Sequence, residues 1–325
     1  MKICIFGVSG MLGHMLFCEL MRYGFDVYGT VRGSLRMNAH PYPMPAPRHV
    51  QCLAHVLHGV GGTALYYKHA LDACDAVLLM GDGDRESIRL LEKKRGLKKR
   101  ECVSAGLPCL DELARHARPK AGRSNPAVIL IAPSWGEKNS LVYCGTAFIR
   151  YLADAGYSVI IRPHPFSLKV EKELIDAIMK EFSSDKGVRF DLGLDGSQAL
   201  AEADMMISDK SGVRFDFAFL YLRPVLTLDI PLRCQENFEI SEMEYIWEND
   251  IEKKLGPVLT VEQLHALDEK AFLDLIEKTL QTDSACLTEL REKTVANFGS
   301  SGMFIAEWAV NKCYGYDIAD MSEVR

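Results

Sequence analysis

Three short stretches of the chain gather side chains suited to handling a phosphate ester. His58 ends the apolar run in LAHVLHGVGG and is followed by Gly59, Gly61 and Gly62. Its ring is therefore expected at the carboxyl end of a strand beside a pliant loop, where ligands meet parallel sheets. An imidazole with an ordinary pKa near ~6.5 accepts a proton at neutral pH. In SVIIRPHPF, Arg162 and His164 close a β-branched strand, and Pro163 and Pro165 hold the turn extended. A cation and an imidazole at one edge suit an anionic ligand. In MMISDKSGVRFDF a strand ends at Ser208 and a helix begins near Ser211 and Gly212, so its free amides offer a phosphate seat. Asp209 would receive a sugar hydroxyl or orient a neighbouring group. Helix capping explains Asp209 and Ser211 nearly as well.

A fourth stretch points elsewhere. Gly7, Gly10 and Gly13 in KICIFGVSGMLGHML follow a short apolar run, as in a dinucleotide loop that lets backbone approach a pyrophosphate. With VYGTVRG, this opening resembles extended short-chain dehydrogenase/reductases, the dTDP-4-dehydrorhamnose reductases in particular. That resemblance implies NADPH, with Arg32 facing its 2′-phosphate. Those enzymes also require a tyrosine with a lysine four residues later, and no tyrosine of this chain has one. The simpler reading is that the glycines permit tight strand-to-helix packing.

The elements that must position these residues are α/β in character. Apolar runs such as AVLLMG, AVILIAP, SVIIRP and PVLTLD alternate with amphipathic segments, which predicts parallel sheets covered by helices. Residues 37–48, with four prolines, break the rhythm as a seam. ARPKAGRSNP, residues 117–126, reads as a linker, with 119–126 separating the two domains. The expected organisation is a Rossmann-like domain over 1–118, its first 36 residues being the reductase-like segment. A donor-binding domain follows over 127–325, helical from Pro231 to the end. Two such halves imply a cleft between them.

Bulk properties exclude several classes. A net charge of −6 and a pI near 5.9 give no general attraction to nucleic acid. The ten cysteines form no CxxC pair, so the chain reads as reduced and cytoplasmic. No apolar stretch reaches the ~18 residues of a membrane span. His55 and His58 are oddly spaced on a strand and point to opposite faces, and no metal is called for. The run Lys93, Lys94, Arg95, Lys98, Lys99, Arg100 reads as a solvated helix end. Its sharper alternative is a contact with an anionic membrane leaflet.

The phosphate-directed stretches, together with DACDAVLLMGDGDRESIRLLEKKRGLKKRECVSAGLPCLDEL, ILIAPSW and NFGSSGMFIAEW, resemble the CDP-glycerol glycerophosphotransferase family. The resemblance runs from about residue 49 to 313, with Gly136 after Trp135 where relatives often carry arginine. It implies a two-domain GT-B-like fold and transfer of glycerol phosphate from CDP-glycerol to a hydroxyl with release of CMP, no further cofactor being required. By motif, His58 is the base on the acceptor, and His164 and Arg162 lie against the donor pyrophosphate. Ser134, Asp209, Ser211 and Gly212 complete the donor site. The resemblance also implies a role in cell-envelope polymer synthesis, with a lipid-linked acceptor met at the inner membrane face. The alternatives are an NADPH-dependent nucleotide-sugar reductase, a non-catalytic nucleotide-binding fusion remnant, or an epimerase or glycosyltransferase of the same architecture.

Overall fold

Runs of Val, Ile, Leu and Met form strands buried on both faces, the pattern of parallel sheets covered by helices. The computed structural model describes residues 2–6, 21, 26–30, 52–57, 59–136, 139–231 and 236–314. His58, Gly7, Gly10, Gly13, Arg32 and the proline-rich seam lie outside the described residues. Two compact units result, one built from the chain up to His116 with Asn237–Ile246 and the residues from Glu292. The other comprises Ala117–Glu236 and Trp247–Arg291.

In the first unit, β1 (Lys2–Phe6) and β2 (Asp26–Thr30) pair in parallel, Lys2 opposite Asp26 and Phe6 opposite Thr30. A separate parallel sheet orders β3 (Ala54–Val56), β4 (Ala76–Leu79) and β5 (Glu101–Ser104) side by side. The helix Gly83–Arg95 follows β4, with Asp84 and Glu86 in its first turn and Lys93, Lys94 and Arg95 in its last. That distribution complements the helix dipole, and Gly96 at φ 62° ends the helix in the left-handed region.

The chain returns to this unit twice. Arg95 reaches Asp72 at 3.0 Å and Glu242 at 2.8 Å and also pairs with Glu239, which fastens the segment 237–246. Later, Thr294–Ser301 crosses the carboxyl ends of β4 and β5, where Ala296 N–H donates to Met80 O at 2.9 Å. The crossing is so close that a Cβ at Gly81 would lie 2.1 Å from the Thr294 carbonyl oxygen. Asp111 accepts the amides of Gly299 at 2.6 Å and Ser301 at 2.8 Å. It thereby starts the helix Ser301–Tyr314, whose Ile305 and Trp308 pack on Ala76, Leu78 and Ala105. A linear division that gives everything after 127 to one domain does not capture this return.

The second unit holds one six-stranded sheet. Its strands are β6 (Val128–Ile131), β7 (Ser158–Ile161), β8 (Val188–Phe190), β9 (Met205–Ser208), β10 (Val225–Asp229) and β11 (Val258–Thr260). The order is β11-β10-β9-β6-β7-β8, with all pairs parallel. Alternation sorts side chains to two faces: Ile129, Ile131, Val159 and Ile207 join Phe148, Leu152, Phe272 and Ile276 in one core. Leu130, Ile160 and Met206 fill the other face. β11 departs from the helical expectation after Pro231, and Thr260 both ends it and caps the helix Val261–Ala266 through a capping box with Gln263.

The stretch 119–126 belongs to this unit and is tied down. Asp204 pairs with Lys120 at 2.9 Å and accepts the amides of Ser124 at 3.2 Å and Val128 at 2.8 Å. Among the described residues no helix is long and apolar enough to cross a membrane.

Candidate active site

The sheet order places a topological switch between β6 and β9, because β7 and β8 extend one way from β6 and β9 to β11 extend the other. Ligands of doubly wound sheets bind at the carboxyl ends beside such a switch. Here Asp209 bridges the two strands. Its carboxylate, wholly buried, accepts the amide of Ser134 at 2.9 Å and that of Ser140 at 2.8 Å. Burial pushes the carboxyl pKa up, and these hydrogen bonds oppose the rise. Asp209 is thus a clamp on the β6 loop and not the receiver of a sugar hydroxyl, since its oxygens are already engaged and shielded.

The loop after β6 is shaped by two further residues. Gly136 has φ 96°, a conformation that glycine adopts freely and that strains a residue with a side chain. Its amide donates to Glu171 at 3.0 Å, and the side-chain amide of Asn139 also donates to Glu171. Asn139 Oδ1 in turn caps the helix Ser140–Cys144 through the amides of Leu141 and Val142.

His164 follows β7, and its Nδ1 accepts the Phe166 amide at 3.1 Å. In the neutral ring the proton therefore sits on Nε2, which is left to donate. Burial holds its pKa below the usual histidine value, as does Arg162, while Glu171 pulls the other way. Trp135 and Phe166 stack at 5.1 Å, and the His164 ring lies 6.0 Å from Phe166. This aromatic group was not singled out from the sequence, although both ILIAPSW and RPHPF place an aromatic at the carboxyl end of a strand.

Arg162, whose charge acts on His164, makes its hydrogen bonds toward β8. Its guanidinium donates to Asp191 at 2.7 Å, to Gly193 O at 3.0 Å and to Leu194 O at 3.2 Å. With these three hydrogen bonds the cation braces the loop after β8.

Gly212 occupies the N-cap of the helix Val213–Tyr221, one residue later than the Ser211 cap expected. No side-chain cap closes the end, so its first amides suit an anion. The helix start is fixed from below. Arg214 donates to Ser211 O at 3.0 Å and to Glu252 at 2.8 Å, and Glu252 also takes Lys210 at 2.7 Å. Asp216, in the first turn, was also missed. Its pKa is pushed up to about 7 by desolvation alone, although some of its surface remains accessible. An acid among the phenylalanines of VRFDFAF was the available signal.

In the first unit, the glycine loop behind His58 is fastened at Thr63, whose N–H and hydroxyl donate to the buried Asp84 at 2.8 and 3.0 Å. His55 Nε2 lies 3.1 Å from the Tyr66 hydroxyl. Among the described residues no group of three or more His, Cys, Asp or Glu is placed to hold a metal ion.

The family model for CDP-Glycerol:Poly(glycerophosphate) glycerophosphotransferase matches residues 68–230, half of the chain. The chain belongs to this family. This glycerophosphotransferase carries its family's enzyme class, with CDP-glycerol as donor, and membership favours that chemistry over the reductase suggested by the opening glycines. The fold is similar to that of the wall teichoic acid polymerase TagF, at 16% identity and TM-score 0.53, over 96% of this chain and 89% of that one. It is also similar to the Methanocaldococcus jannaschii UDP-GlcNAc 2-epimerase, at 13% identity and TM-score 0.51, over 95% and 75% of the two chains. A putative UDP-N-acetylglucosamine 2-epimerase from Listeria monocytogenes matches at 14% identity and TM-score 0.53, over 81% and 67%. No match is found among curated proteins. The glycerophosphotransferase thus shares a GT-B-like fold with enzymes of different chemistry, and its own site must be argued from its residues.

Proposed function

We propose that the chain extends or primes a teichoic-acid-like cell-envelope polymer, with the second unit holding CDP-glycerol and His58 serving the acceptor. The observation that carries this reading is the Asp209 bridge, which brings the Ser134 loop beside the Ser211–Gly212 helix start at the switch of the sheet. The pyrophosphate is read as lying on the open amides at Gly212, beside the loop that Ser134 anchors to Asp209, with the Nε2–H of His164 donating to its oxygens. Asp216, one turn into the same helix, is read as accepting a donor hydroxyl.

The reaction then needs few parts. His58 takes the proton of the acceptor hydroxyl, whose oxygen attacks the phosphorus that carries glycerol. The bond from that phosphorus to the bridging oxygen breaks, and CMP leaves with the electron pair. Positioning and neutralised charge do most of the work in such displacements.

The acceptor is read as lipid-linked and the enzyme as working at the inner face of the membrane. Purified protein with CDP-glycerol and a glycerophosphate-primed lipid acceptor should release CMP. His58→Ala and His164→Ala should each lower kcat/KM by about two orders of magnitude or more. Absence of CMP release, or full activity in both variants, would overturn the reading.

A further inference from the structure

We infer that Arg162 is a positioning residue for the nucleobase of the donor, setting the loop Asp191–Gly196 as the wall against which the cytosine lies. The inference rests on the donor site proposed above. The guanidinium is a three-point brace on Asp191, Gly193 O and Leu194 O. The fit extends to Gly196, where a Cβ would stand 2.5 Å from Arg162 Nε. An arginine held this way fixes a loop by geometry, which a lysine cannot reproduce.

The loop so held presents apolar surface at the carboxyl edge of β8. Leu194 is 89% exposed and Leu192 41% exposed. From the phosphate seat at the switch, the carboxyl edge of the sheet runs two ways. Toward β10 it is ionic: Lys210 pairs with Asp229 at 3.1 Å and with Glu252 at 2.7 Å. Toward β8 it passes the Trp135–Phe166 stack, with Phe166 44% exposed, and ends at the leucines. A flat, weakly hydrated base lying on the apolar side and a polyol on the polar side match these surfaces. Arg162 then acts on the base end of the donor through the loop, not on its phosphates.

Direct binding to the full-length chain tests this, with CMP and inorganic pyrophosphate as probes in titration calorimetry. Because binding is read without turnover, failure of the transferase reading remains distinguishable as an absence of CMP release by the wild type. Arg162→Ala, Arg162→Lys and Leu194→Ala should each weaken CMP by about tenfold and leave pyrophosphate within about twofold. Gly196→Ala should weaken CMP similarly in the wild type and add nothing in the Arg162→Ala background, since the clash is with the guanidinium itself. Wild-type CMP affinity in Arg162→Lys would overturn the inference, as would equal losses for CMP and pyrophosphate in Arg162→Ala. So would unchanged CMP affinity in Leu194→Ala, an exposed position that keeps the test open if the arginine variants fail to fold.

Discussion

The carboxylate of Asp209, at the end of β9, accepts the backbone N–H of Ser134, at the end of β6, at 2.9 Å. One buried side chain thus sets the spacing of the two loops that flank the switch of the sheet. Asp209→Ala leaves the Ser134 and Ser140 amides without their acceptor, at a cost of about 3 kcal/mol in stability. Asp209→Asn keeps one acceptor oxygen and should cost less. Denaturant unfolding checks the order, and CDP-glycerol affinity should fall in the same order.

His164 should remain neutral below the pH at which an ordinary histidine charges, because its folded pKa is lowered by burial and by Arg162. The folded state then binds fewer protons than the unfolded one. The contribution to stability is complete above the unfolded value near ~6.5 and is lost as pH falls below it toward the folded pKa. NMR titration should find the ring titrating below that value, and the fall in melting temperature on acidification through this window should be smaller in His164→Gln.

Asp216 shows the opposite sign. Its pKa of about 7 means that the folded protein holds this proton more tightly than the unfolded chain, so stability is lost as pH rises from the ordinary carboxylate range through 7. Asp216→Asn should therefore melt at a higher temperature than the wild type at pH 8, with the difference vanishing near pH 4. If its carboxyl serves the donor, the same substitution should weaken CDP-glycerol binding, a trade of stability for function.

The basic run offers a smaller membrane footprint than its six cations suggest. Arg95 and Arg100 are engaged inside the protein, Arg100 with Glu92 at 3.0 Å and Leu71 O at 2.6 Å. Lys93, Lys94, Lys98 and Lys99 remain exposed. If they rest on an anionic leaflet, each contributes about 1 kcal/mol at low salt. Replacing Lys93, Lys98 and Lys99 by alanine should abolish salt-sensitive flotation with phosphatidylserine vesicles. Arg100→Ala should instead destabilise the fold.

Strands were legible where apolar runs are long and buried on both faces, as in AVLL over 76–79 and MMIS over 205–208. β11 was not, because Val258, Leu259 and Thr260 are only partly buried and too few to show a period. The site was legible in its motifs and less so in its roles. Arg162 and Asp209 stand beside the right turns, yet what their side chains touch depends on residues 29 and 75 positions away in the chain. Local spacing carries no trace of that. Asp216 carried a signal, since an acid in an apolar helix needs a reason.

The return of Glu292–Tyr314 to the first unit bears on how the chain is made. Domains usually complete in the order of synthesis, N-terminal first. Here the second unit ends at Arg291 and has all its residues before the first unit receives the helix that Asp111 starts. On the ribosome, the unit whose strands emerge before the second unit is therefore completed after it, with Ala76, Leu78 and Ala105 awaiting Ile305 and Trp308 until the second unit has been made.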